Sequence, residues 1–321
     1  MSRFVGAVAP IAVADRSGLD ESIHHGAGVA LRGVDVVATV GDPDLVVYPR
    51  SCLKPLQAAA MVALGLDVPD DQLAVACASH DGADLHLRTV RRLLADHGLT
   101  DADLDNTPSR PFGAGARSAA RRAGVEPSSL QQNCSGKHAA MLATCVVNGW
   151  PTAGYVDPGH PLQQAITAHL ETLGCAVTHI GVDGCGAPTH AFALRDLATA
   201  FAHVARSDSQ VARAMRAHPV LVAGEDRDVT AWIRSLPGLI AKEGAAGVMA
   251  AGLPDGRGVA FKIADGSDAA RRAVTAEALR TVGVDVDTLA ADAVNAARVP
   301  VLGHGREVGV VRALNWSTCS S

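Results

Sequence analysis

A mixed α/β (α+β) fold, with one sheet built from both termini and a helical lobe inserted between them, is what this sequence predicts. Two patterns predict it. Short runs rich in Val and Ile fill residues 5–48 and return only after residue 247, whereas the stretch between them carries apolar residues at helical spacing, in segments closed by glycine. Strands at both ends with helices between them need a sheet assembled from the two termini. The expectation is one two-lobed catalytic domain, with a sheet lobe at about 1–50 and 240–321, a helical lobe at about 51–239, and a cleft between them as the default site.

In order, Val5–Val13, Gly28–Val40 and Leu45–Tyr48 read as strands, the last running into Pro49. Ser51–Leu64 reads as a helix, with Pro55 in its first turns, where a missing N–H costs nothing, and Gly65 just past its end. Leu87, Val90 and Leu94 mark the buried stripe of a second helix that stops at Gly98; Ser135–Asn148, Pro161–Leu173 and Thr189–Arg206 are three more. Gly247–Leu253 and Gly258–Ile263 flank Pro254-Asp-Gly-Arg257, a hairpin connection, and Asp268–Thr281 and Glu307–Arg312 supply a last helix and strand.

Composition narrows the function. Hydrophobic residues make up 48% of the 321 but aromatics only 3%, so the core must come from Leu, Val, Ile and Ala. A net charge of −5 argues against nucleic acid or an anionic membrane, because both need clustered Lys and Arg. Seven cysteines without paired spacing point to a reducing compartment, and so to the cytoplasm. Met1–Asp15 mimics a leader, but Pro10 interrupts it and its alternation suits a first strand. The uncharged stretch from Ala139 towards Asp157 is broken by Asn148, Gly149, Pro151 and Gly154, so it is not a membrane span. A small polar substrate fits best.

Three segments carry candidate chemistry. In Pro49-Arg50-Ser51-Cys52-Leu53-Lys54 a serine and a lysine sit three residues apart, on one helical face, where strand gives way to helix. A lysine whose pKa is lowered by burial or a nearby cation can take the serine proton, and free N–H groups at the helix start can hold an oxyanion. Ala76-Cys-Ala-Ser79-His80-Asp-Gly82 places a serine and a histidine before a turn, and Phe261-Lys262 puts a lysine in a late, otherwise apolar strand. Singly, a capping serine, a satisfied core histidine and a sheet lysine facing water are the commoner explanations. Their order, however, is that of the serine β-lactamases and penicillin-binding proteins, although the K-T-G and S-D-N triplets of those enzymes are missing.

Asn133-Cys134-Ser-Gly-Lys137-His138 resembles half of a P-loop, but Gln131 and His138 break the pattern and nucleotide binding is rejected. Cys134 and Lys137 share a helical face, and Asp183-Gly-Cys185-Gly-Ala-Pro188 sets a second cysteine between glycines. Thiolates, and an amine kept neutral, can bind zinc, with Asp183 as ligand or orienting group. Spacing alone leaves open two inert buried cysteines or a disulfide.

Together these segments, with Gln57, Ala139-Ala-Met141, Lys262-x-x-Asp265-Gly266 and the early Glu21-Ser-x-His24-x-Gly26, resemble the Rhizobium etli type (class 3) L-asparaginases, in one order from residue 21 to 266. The resemblance implies a serine β-lactamase-like fold, a homodimer, and hydrolysis of L-asparagine to aspartate and ammonia. It further implies two catalytic tandems, Ser51 with Lys54 and Ser79 with Lys262, zinc (Zn2+) held by Cys134, Lys137 and Cys185, and substrate contacts from Arg50, His80, Asp183 and His138. Residues 101–128 match no motif of that family, and Cys52 is an unexpected thiol beside Ser51. The alternatives are a β-lactamase-like esterase or peptidase, an amidase with Cys185 as nucleophile beside His190, and a zinc-stabilised amino-acid-binding domain without turnover.

Overall fold

The computed structural model describes residues 3–206 and 208–319; Met1 and Ser2 of the leader-like stretch lie outside the described residues. The chain opens with a helical turn, α1 (Arg3–Gly6), and four strands, β1 (Ala9–Arg16), β2 (Leu19–Arg32), β3 (Asp35–Val40) and β4 (Val46–Val47). A short 3-10 helix, Arg50–Leu53, leads into α2 (Lys54–Ala63), α3 (Asp70–Ala76), α4 (Asp84–Ala95), α5 (Ala114–Arg122), α6 (Ser135–Val147) and α7 (Pro161–Thr172). Strands β5 (His179–Val182) and β6 (Pro188–Ala193) precede α8 (Leu194–Val204), α9 (Gln210–Ala217), α10 (Pro219–Val222) and α11 (Asp228–Ser235). The C-terminal part comprises β7 (Ile240–Gly244), β8 (Val248–Gly252), β9 (Arg257–Ile263), α12 (Asp268–Thr281), α13 (Ala291–Ala297), β10 (Val299–Gly303), β11 (Arg306–Ala313) and β12 (Ser317–Thr318).

The fold is α/β with a large antiparallel sheet whose strands come from both ends of the chain, in the order β10-β11-β1-β2-β9-β8-β7, with β3 on β2 and β12 on β3. Strand β2 ties it together: residues 19–26 pair with β1, and from Gly26 onward the same strand runs between β9 and β3. Its side chains follow that change. The first half is mostly exposed, and Gly26–Leu31 is buried. Helix α8 lies against β8 and β9 so closely that a Cβ on Gly252 would stand 2.3 Å from the Phe201 carbonyl oxygen. Leu194, Leu197 and Phe201 of α8 are fully buried there, each stabilising the fold by about 2 kcal/mol.

Several elements differ from the sequence expectation. The segment expected as one strand from Val5 begins as the turn α1 and becomes a strand only at Ala9. Thr189–Ala193, expected within a helix, is β6, the middle strand of a separate sheet ordered β4-β6-β5. Its residues Pro188–Phe192 are all buried, which removes the alternation that marks a half-buried strand. Edge strand β10 was obscured by Pro300, which an edge tolerates because its missing N–H has no partner to lose. Among the described residues, no helix is long and apolar enough to cross a membrane.

Helix α6 sits directly on the end of α3 because Gly136 has no side chain: a Cβ there would lie 2.2 Å from the Val75 carbonyl oxygen. Alanine is the better helix former by about 1 kcal/mol, but the backbone clash should win. Gly136→Ala is expected to lower stability by about 1–3 kcal/mol, read as a lower midpoint in denaturant unfolding; an unchanged midpoint would show that α6 can shift freely.

Candidate active site

The segment carrying Ser51 turns sharply. Arg50 has a φ of 53°, left-handed backbone that a non-glycine residue adopts at a cost of about 1–3 kcal/mol. Asp183 holds it there, its Oδ1 accepting from Arg50 Nε at 2.7 Å and Nη2 at 2.6 Å. Burial pushes the Asp183 carboxyl up, but the charges of Lys137 and Arg50 outweigh it and keep its pKa below the usual range. Ser51 is half-buried at the start of the helix, whereas Cys52, Leu53 and Lys54 are buried.

Ser79 lies on the loop after α3, fixed by backbone bonds on both sides: Ser79 N to Val222 O at 3.1 Å, His80 N to Asn133 O at 3.1 Å and Asp81 N to Ala223 O at 2.8 Å. Two buried lysines meet at its hydroxyl. Lys54 Nζ is 3.1 Å from Ser79 Oγ and also bonds the Ala78 carbonyl, while Lys242 Nζ is 2.9 Å from the same oxygen. Lys242 has two further acceptors, Glu243 O at 2.9 Å and Glu243 Oε1 at 3.0 Å, so its three N–H groups are all satisfied. Burial pulls the Lys242 pKa down; Glu243 opposes this, and Lys54 adds to the lowering.

The amine beside Ser79 therefore belongs to Lys242, and the expected Ser79–Lys262 pairing is corrected. Lys262 Nζ instead bonds the Ala246 and Ile263 carbonyls, both at 2.5 Å. Nor do the bonds of Lys54 reach Ser51; they go to Ser79 and Ala78. Lys242 escaped notice because Ile240–Gly244 carries two adjacent charged residues before its last glycine and looks like a surface loop, whereas all five of its residues are buried. Lys242-Glu243-Gly244 keeps the lysine and glycine of the K-T-G triplet, and that was the available signal.

Of the expected substrate contacts, Arg50 and Asp183 flank Ser51 as a pair, and the two histidines lie deeper. His80 is fully buried with both ring nitrogens engaged, Nδ1 accepting from Gly82 N at 3.1 Å and Nε2 bonded to Ser135 Oγ at 2.8 Å. His138 bonds Tyr155 Oη at 2.8 Å through Nδ1 and leaves a buried Nε2 without a partner. Burial holds both imidazoles well below their ordinary pKa and so neutral.

Cys134, Lys137 and Cys185 also come together. Lys137 Nζ is 3.1 Å from Cys185 Sγ, and Asp183 Oδ2 is 3.9 Å from that sulfur. A hydrogen bond from Cys185 lowers the Cys134 thiol well below its ordinary pKa against the effect of burial, with Lys54 and Lys137 assisting. That bond and burial raise Cys185 correspondingly. Both cysteines are free. Among the described residues no three His, Cys, Asp or Glu side chains converge on a metal position. No hydrogen bond joins Cys185 to His190, whose Nε2 bonds Thr167 Oγ1 at 2.8 Å.

The sequence profile of the family described as L-asparaginase II matches residues 12–313. No curated protein matches the chain significantly. Among solved structures, a β-lactamase from Mycobacterium bovis is similar at 20% identity with a TM-score of 0.42, over 81% of this chain and 95% of that one.

What brings the segment of Ser51 against that of Lys242 is the approach of β7 to the 3-10 helix. A Cβ on Gly244 would stand 2.4 Å from Pro49 O and 3.2 Å from Cys52 Sγ, and Cys52 Sγ itself bonds Lys242 O at 2.9 Å. Gly244→Ala is expected to separate these segments and lower stability by about 1–3 kcal/mol, seen as a lower melting temperature; an unaltered melt would show that the contact has slack.

Proposed function

The chain belongs to the L-asparaginase II family, and from that premise we propose that it is an L-asparaginase of the Rhizobium etli type, a cytoplasmic homodimer that hydrolyses L-asparagine to L-aspartate and ammonia. The observation that carries the mechanism is the Ser79 hydroxyl held between two buried amines, 3.1 Å from Lys54 and 2.9 Å from Lys242. A hydroxyl that accepts from one amine can donate to the other, so a proton can pass between them without entering solvent.

Ser51 is the nucleophile in this reading, because it is the more open of the two serines and begins a helix. Its Oγ attacks the side-chain amide carbon, its proton passes by way of the Ser79 hydroxyl to the Lys54 amine that bonds that hydroxyl, and the Ser51 backbone N–H steadies the oxyanion. Ser79 and Lys242 carry a proton to the leaving nitrogen, the C–N bond breaks, and ammonia departs from a β-aspartyl ester of Ser51. Water, deprotonated through the same amines, attacks the ester, and aspartate leaves as the Ser51 hydroxyl is restored. Arg50 and Asp183 suit the charged ends of an amino-acid substrate, and neutral His80 and His138 serve behind them.

Two sulfurs and an amine lie together at Cys134, Cys185 and Lys137; the hydrogen bond from Cys185 lowers the Cys134 thiol, while the two sulfurs raise the Lys137 ammonium against burial, so zinc held here would have to displace the Lys137 proton as well as those of the thiols. Bound zinc would neutralise two thiolates and fix the Cys185 loop, and with it the Asp183 carboxylate that holds Arg50. Protein refolded with zinc is expected to retain about one metal per chain by elemental analysis and to release protons on loading; Cys134→Ala with unchanged zinc content would contradict the donor set.

Ammonia release from L-asparagine tests the function. Ser51→Ala, Ser79→Ala and Lys242→Met are each expected to lower kcat by about 100-fold or more, and Lys262→Met by only a few-fold. Folded wild-type protein that releases no ammonia would overturn the assignment, and a larger loss in Lys262→Met than in Lys242→Met would overturn the lysine assignment.

A further inference from the structure

Glu243 is a buried carboxylate that the mechanism above leaves unused. Its Oε1 is shared between two cations, Lys242 Nζ at 3.0 Å and Arg227 Nη2 at 3.1 Å, and its Oε2 is buried without a partner. Arg227 reaches onward: Nη1 bonds Asp81 Oδ1 at 3.0 Å, and the guanidinium lies over the Phe112 ring, 4.8 Å from its centre. Asp81 follows Ser79 by two residues, so the row Lys242–Glu243–Arg227–Asp81 leaves the Ser79 hydroxyl on β7 and returns to the loop that carries it. Its outer end opens on a groove of about 960 Å³ lined by Asp81, Phe112, Arg227 and Arg271.

We propose that Glu243 is a positioning residue, holding the Lys242 amine against Ser79 and setting its proton affinity, with Arg227 on the far side of the carboxylate limiting that effect. This deepens the reading of Lys242 as a proton carrier and rests on it. Charge reaches Lys242 from every element packed around it: Lys54 on α2, Cys52 on the 3-10 helix, Cys77 and Ser79 after α3, and Glu243 beside it; Arg227 before α11 and Arg271 on α12 act on Glu243. Burial would raise the Glu243 carboxyl, but Lys242, Arg227 and Arg271 together hold it down to about 2, so it is ionised throughout the working range.

The signs follow from Coulomb interaction. Without the Glu243 charge, the Lys242 ammonium loses its compensating partner and gives up its proton at lower pH. Without Arg227, the carboxylate acts on Lys242 alone and the ammonium persists to higher pH. An ion pair serving only the fold would lower activity in both cases and move no titration in opposite directions.

The test follows the Lys242 amine by NMR in full-length protein carrying isotope-labelled lysine, for wild type, Glu243→Gln, Arg227→Met and Asp81→Asn, with kcat/KM for asparagine measured on the same samples from acid to alkaline pH. The titration and the acidic limb of kcat/KM are expected to move down by about one pH unit in Glu243→Gln and up in Arg227→Met. Asp81→Asn, which frees Arg227 for Glu243, should move them down, and it stands in if Glu243→Gln does not fold. Coincident titrations in the folded variants, or shifts of one sign throughout, would overturn the proposal. A wild type that titrates as expected yet releases no ammonia would instead overturn the asparaginase reading alone, since the amine is read directly.

Discussion

Everything at this site depends on one oxygen, the Ser79 hydroxyl, having two buried lysine amines within hydrogen-bond distance. Two full charges that share one hydrogen-bonded oxygen are at most about 6 Å apart and repel by roughly 3 kcal/mol or more at an effective dielectric near 20, before the cost of taking either out of water. The surroundings offset that cost with acceptors: the Ala78 carbonyl on Lys54, and the Glu243 carbonyl and carboxylate on Lys242. In the proposed mechanism one of the two amines acts as the neutral base that a serine nucleophile needs.

The fold supplies the close approaches that make this arrangement possible. β7 reaches the 3-10 helix over Gly244, and α6 meets α3 over Gly136, which joins the segment bearing Cys134 and Lys137 to the one leading into Ser79. The thiol cluster and the serine–lysine cluster are consequently neighbours, close enough for Lys54 to lower the Cys134 thiol. A change of charge at the cysteines will be felt at Lys54 by the same contact.

Much of this was legible in the sequence. Terminal strands, a helical middle, and Ser51, Lys54 and Ser79 in that order follow from local patterns that tertiary contacts leave intact, and α12 occupies Asp268–Thr281 as its pattern predicts. The pairing across the sheet was not legible. Which late lysine faces Ser79 depends on strand register, and Lys262 on β9 and Lys242 on β7 both lie on strands buried on two faces, where no alternation distinguishes inside from outside. The role of Glu243 was hidden for the same reason, since a Lys-Glu pair in isolation looks like solvated surface.

The most direct test of the central claim is to quench the enzyme in acid during turnover of a slow β-aspartyl substrate, such as L-aspartate β-hydroxamate, and to map the acylated peptide by mass spectrometry. The account predicts a β-aspartyl ester on Ser51, accumulating in Lys242→Met if proton return is slowed. An ester on Ser79 or on Cys185, or turnover with no covalent intermediate under conditions that trap one, would contradict it.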